Sequence, residues 1–326
     1  MREGKFIDQN IDRWKDYLVD SKDPDEQADR FVHLVDDLSY AKTFYPTSKT
    51  TQFLNGLAAR QFQKLYQHRN LQFGRLIQFW RYELPLLYGR YHRIYLFVLA
   101  FFTLCVLMGV LSSMHDQTFV RSILGDGYVD MTEDNIQKGD PFGVYKNSNE
   151  FGMFVNIAAN NIRVAMMTFS LGLLAGIGTL YMLFTNGVML GSFQYMFFAK
   201  GLGWQSILVI WIHGTLEISA IVIAGTAGMI LGASFLFPGT YSRLESLRRG
   251  SRDAVKIIFG LIPFFLLAAF FEGFVTRHTE MPVWLSLMIL IGSAATIIWY
   301  FIIYPVLLRR SGIRFEKGKI IFPQGE

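Results

Sequence analysis

Two regimes of hydrophobic patterning divide the chain. Up to about residue 93 apolar side chains recur at intervals of three and four; from residue 94 they form long runs broken by short basic or glycine-containing turns. In the first regime Ile7, Ile11, Trp14 and Leu18, then Phe31, Leu34, Val35 and Leu38, then Leu54, Leu57, Ala58, Phe62 and Leu65 predict three amphipathic helices. "SKDPDEQ" carries the start of the second, with Asp23 as N-cap, Pro24 at the first helical position and Glu26 closing a capping box. "FYPTSKT" ends it and leaves Thr47 or Ser48 to cap the third. Residues 74–93, with four Arg and several Trp and Tyr, have the composition of a helix lying at the headgroup level.

A membrane-crossing helix needs about 20 apolar residues. Residues 94–114, 163–185, 204–236, 255–275 and 283–308 satisfy that length, and the stretch "NGVMLGSFQYMFFAKG" between the second and third is shorter. Charge decides whether it crosses. Only if it does are the basic turns "YSRLESLRRGSRDAVK" and "LLRRSGIRFEKGK" on the side of the N-terminal domain, as the positive-inside bias requires. The loop 115–150, with five Asp, two Glu and three Lys or Arg, follows the first span and is expected outside in either case. The expected fold is an all-α, polytopic transmembrane helical bundle of about six membrane segments, one short or re-entrant. A cytoplasmic helical domain over 1–93 precedes a transmembrane domain over 94–308 and a basic cytoplasmic tail over 309–326. The first residues hold no apolar core of signal-peptide length, so both termini are expected in the cytoplasm.

Composition supports this division. Hydrophobic residues make up 52% and charged residues 17% of the 326, which favours a membrane protein over a soluble one. The net charge of +5 sits at the ends of apolar runs, not in one stripe with exposed aromatics, so no nucleic-acid partner is expected. A single cysteine, Cys105, excludes an intrachain disulfide and a cysteine-cluster metal site.

Polar residues inside the apolar runs are the candidate chemistry. In "WIHGTLEIS", His213 lies about 14 Å into its helix and Glu217 one turn deeper on the same face. Glu272 stands near the outer end of the next run, and Asn160, Asn161 and Arg163 open the second, so all six can converge in the outer half of the membrane. Such groups are costly in lipid and are expected to face one another in the interior. Three readings follow: a hydrogen-bonded network in which Glu217 accepts from His213 or Arg163, a proton- or cation-binding site of a transporter, or a metal-dependent hydrolase. For the last, His213, Glu217 and Glu272 are the available ligands, but "HGTLE" lacks the second histidine of HExxH, and the nearby His278 lies at the outer edge. No cofactor and no metal are expected. "GLLAG", "GVMLG" and "GMILG" permit close helix contact through Gly172, Gly176, Gly187, Gly191, Gly228 and Gly232, and Asn186–Gly187 is expected to form a tight inner turn.

On "NNIRV", the glycine-rich "FSLGLLAGIGTLYMLFTNGVMLG", "HGTLEISAIVIAGTAGMILG" and the glutamate of "FFEGFVTR", residues 90–310 resemble the stage II sporulation protein M family of bacterial membrane proteins. The pattern falls on Asn160, Asn161, Asn186, Gly187, His213, Gly214, Glu217 and Glu272. The resemblance implies a bacterial inner-membrane scaffold or complex subunit linked to cell-envelope remodelling. The sporulation member holds cell-wall-degrading partners that lie outside. The implied partners are the lipid bilayer and other membrane or envelope proteins, with a homo-oligomer left open.

Overall fold

A computed structural model describes residues 2–19, 21, 23–67, 73–143, 150–276, 281–316 and 319–322. His278 and Ser148 lie outside the described residues, as do parts of the 115–150 loop and of the 309–326 tail. The chain forms two compact units, residues 1–76 and 77–326.

The first unit contains α1 (Glu3–Asp16), α2 (Pro24–Phe44) and α3 (Lys49–Gln67). Phe6, Trp14, Tyr17, Leu34, Ala41, Leu54, Leu57 and Ala58 form its core. Trp14 Nε1 donates to Asp37 Oδ2 at 2.8 Å, so the buried indole keeps a polar partner. Asp23 caps α2 by accepting from the Asp25 amide at 3.0 Å. Glu26 does not close the expected capping box: Ser21 Oγ takes the Asp23 amide at 3.1 Å and donates to Glu26, which also holds Arg30. Ser48, not Thr47, caps α3, accepting from the Thr51 amide at 3.1 Å. Leu18, Val35 and Phe62 stay exposed on this unit.

In the second unit the long helices are α6 (His92–His115), α9 (Glu150–Ser170), α10 (Ile177–Ala199), α11 (Gly203–Leu236), α12 (Arg243–Phe270) and α13 (Val283–Ile298). A π-helical turn, Phe271–Thr276, extends α12; another, Trp299–Ile303, joins α13 to α14 (Tyr304–Arg310). Among the described residues, four helical segments are long and apolar enough to cross a membrane: His92–His115, Gly203–Leu236, Arg243–Thr276 and Val283–Arg310. The described residues also form the short helices α4 (Phe73–Gln78), which spans the boundary between the two units, and α5 (Leu84–Arg90), α7 (Gln117–Leu124) and α8 (Asp126–Gln137) of the second unit.

The structure corrects the sequence reading in the middle of the chain. No helix runs through 163–185. The backbone breaks after Ser170 into a 3₁₀ turn, Leu171–Leu173, and reverses at Ala175 and Gly176, whose φ values are 53° and 81°. Gly176 takes the left-handed conformation without a Cβ penalty. The turn was hidden because it is itself apolar: Leu173, Leu174 and Ile177 are exposed hydrophobics. The short run is therefore the second half of the 23-residue α10. Asn186 and Gly187 form no turn; Asn186 Nδ2 donates back to the Met182 carbonyl at 2.7 Å, as a helix-interior asparagine can.

Small residues set the packing. A Cβ on Gly172 would stand 2.2 Å from the Gly228 carbonyl oxygen, and one on Gly232 would stand 2.4 Å from the Gly176 nitrogen. These contacts bring α9 and the α9–α10 turn onto α11. Gly187 and Gly191 seat α10 on α6 against Cys105 and Val106, while Gly214 meets open space.

At the other end of the bundle the stretch 74–93 is exposed over 74–78 and packed further on. Residues 84–89 are buried, because α5 inserts between α12 and α14: Leu84 fills the space at Gly260, and Arg309 lies against Gly89. Arg90 donates to Asp253 Oδ2 at 3.1 Å and to the Phe315 carbonyl at 3.0 Å, and the Tyr91 hydroxyl donates to the same carboxylate at 2.8 Å. Phe315 belongs to a two-stranded antiparallel hairpin, β1 (Arg314–Glu316) and β2 (Lys319–Ile321), within the stretch expected to be only a basic tail.

Candidate functional site

α9 and α11 run parallel. Asn161 of α9 meets Glu217, and Gly172, in the 3₁₀ turn just past the end of α9, meets Gly228 eleven residues further along α11. α12 runs antiparallel to α11, since Gly250 packs on Ser234 near one end and Thr276 reaches His213 near the other. This arrangement carries side chains from three helices to one point.

His213 is 4% exposed, and its Nδ1 lies 2.9 Å from Thr276 Oγ1. Its Nε2 faces Glu272 Oε2 at 3.8 Å. Asn161 Nδ2 donates to Glu217 Oε1. One ligand atom each of His213, Glu217 and Glu272 lies within 4.8 Å of the other two. A carboxyl pair with an imidazole at that spacing can share a proton, hold a cation or order water.

These groups open onto a cavity of about 390 Å³. Its wall combines Tyr128 of α8, Phe193 of α10 and Trp211 of α11 with His213, Gly214, Glu217 and Glu272. The absence of a side chain at Gly214 keeps that wall recessed. Trp211 is fixed by Gln194, which accepts from Nε1 at 2.8 Å and donates to Ser206 Oγ at 2.7 Å. Above the site an apolar cluster holds α7 and α8 to the bundle through Val120, Val129, Phe142, Met196, Phe197 and Ile210. At the start of α7 Asp116 accepts from the Thr118 hydroxyl and amide, which holds its carboxyl below the usual range.

Four of the six expected residues, Asn161, His213, Glu217 and Glu272, come together. Asn160 and Arg163 do not: both are exposed on the opposite face of α9, in line with Asn156, so Arg163 is no donor to Glu217. Sequence reasoning missed Thr276, because a threonine at the end of an apolar helix carries no distinctive pattern. It also missed the Asn156–Asn160–Arg163 stripe, although the spacing of four and three is visible in the chain.

A bundle of this construction, with four segments suited to crossing a bilayer, defines an all-α polytopic integral membrane protein. The family model described as Stage II sporulation protein M matches residues 98–277, more than half of the chain, and the protein belongs to that family. A model described as a domain of unknown function (DUF8413) matches residues 4–67. No curated protein and no solved structure matches the chain.

Proposed function

We propose that the protein is an integral scaffold or complex subunit of the bacterial inner membrane, linked to cell-envelope remodelling, that meets another membrane protein along the polar face of α9. The observation that carries this reading is Arg163. It lies in register with Ser219, near the middle of the 34-residue α11, yet it is exposed together with Asn156 and Asn160. A charged group at such depth costs several kcal/mol against lipid, and a polar or acidic partner helix offsets that cost. All six long helices cross in this reading, with the basic ends at Arg243–Arg252 and Arg309–Arg314 inside, in keeping with the positive-inside bias. Membership of the stage II sporulation protein M family supports the envelope link.

A photoreactive residue at position 160, with ultraviolet exposure of native membranes, tests the reading. Cross-linking to a second membrane protein, abolished when Arg163→Leu is added, is expected. Labelling of lipid alone would remove the proposal.

The cavity at Glu217 favours a second reading, a transporter or channel for protons or small cations. Ion flux into vesicles containing the purified protein, lost in Glu217→Gln, separates it from a scaffold.

A further inference from the structure

We propose that His213, Glu217 and Glu272 bind one divalent transition-metal ion of the zinc class. Absence of a metal was the expectation from sequence because Glu272 stands on a different helix and the three ligands had to meet by packing alone. Packing does bring them together.

The donor set is one imidazole nitrogen and two carboxylate oxygens, a chemistry suited to zinc with one position open. With metal–ligand bonds of about 2.1 Å, ligand atoms of a tetrahedral site stand about 3.4 Å apart. His213 Nε2 and Glu272 Oε2 are already 3.8 Å apart, and no pair in the trio exceeds 4.8 Å. Small side-chain rotations close the remainder around the ion.

The surroundings are those of a built site. Metal-bound histidine usually donates its other ring N–H to a fixed acceptor, and bound carboxylates are themselves hydrogen-bonded. Here Thr276 Oγ1 lies 2.9 Å from His213 Nδ1, while Nε2 is turned toward Glu272. Asn161 holds one Glu217 oxygen in the same way. The fourth position faces the cavity beside Tyr128 and Trp211, where water or an oxygen donor on an apolar ligand fits. This inference is independent of the partner on α9; either can fail alone.

The test uses the full chain in lipid nanodiscs, stripped with chelator, equilibrated with micromolar free zinc, desalted and analysed for metal. About one zinc per chain is expected, with a rise in thermal midpoint that chelator reverses. The double variant Glu217→Gln, Glu272→Gln should lose both the metal and the rise. Thr276→Val should keep the ligands but weaken affinity about 10- to 100-fold. Each variant's thermal midpoint without metal, compared with the stripped wild type, shows that it is folded. A folded wild type that retains no zinc overturns the proposal, as does undiminished binding in the double variant. If that variant fails to fold, the wild-type stoichiometry and its chelator-reversible midpoint decide alone.

Discussion

Gly172, in the 3₁₀ turn that follows α9, and Gly228 of α11 meet backbone to backbone, with 2.2 Å between a Cβ built on the first and the carbonyl oxygen of the second. An alanine at position 172 forces the helices apart, and overpacking of this kind costs about 1–3 kcal/mol. Gly172→Ala is therefore expected to lower the unfolding midpoint in detergent. Gly214→Ala, which adds its methyl to open space, should leave stability unchanged or raise it by up to about 1 kcal/mol through helix propensity. Equal effects at the two positions would refute the close α9–α11 contact.

Asn161 and Glu217 are direct partners, whereas Arg163 points away from Glu217. A double-mutant cycle for Asn161→Ala and Glu217→Ala should give a coupling of about 0.5–3 kcal/mol, because either single change strands a polar group in the interior. The Arg163→Ala and Glu217→Ala cycle should be additive within about 0.5 kcal/mol. Coupling in the second cycle but not the first would mean that α9 is rotated.

The start of α7 should respond to acid. Asp116 has a lowered carboxyl value, first because of the Thr118 hydroxyl and then because of its amide, so its cap is fully present above the unfolded carboxyl value and is lost as pH falls through the folded one. Hydrogen exchange of the α7 amides should accelerate as pH falls through that range, after correction for intrinsic rates. In Asp116→Asn, which caps without titrating, this acid-specific loss should vanish. Persistence of the full acceleration in that variant would assign it to another group.

Membrane orientation is testable with cysteines in a Cys105→Ser background, since Cys105 is buried in the parent chain. An impermeant thiol reagent added to intact cells should label a cysteine at Asp134 of α8 and spare cysteines at Ser246 and Ser311. Protection of the first and labelling of the other two would invert the topology.

Much of this architecture was legible in the chain, for reasons that also explain what was not. The runs that became α6, α11, α12 and α13 are apolar on nearly every face, so length alone marks them. Asn161, His213, Glu217 and Glu272 stood out because each interrupts such a run, and their cost in lipid turned them inward. The turn at Ala175–Gly176 was invisible to hydropathy because its leucines are as apolar as the helices it joins. Arg163 was assigned to the interior on the same cost argument, which holds only when the partner belongs to the same chain. The strand pair β1 and β2 was read as a charged tail because its buried anchor, Phe315, is an aromatic among charged residues.

Native mass spectrometry of the protein, released from its own membranes in mild detergent, tests the subunit assignment most directly. The account predicts a complex containing a second membrane protein or a second copy of the chain, which falls to the single chain in Arg163→Leu while that variant keeps the parent's thermal midpoint. A single chain in the parent, unchanged in Arg163→Leu, would contradict it.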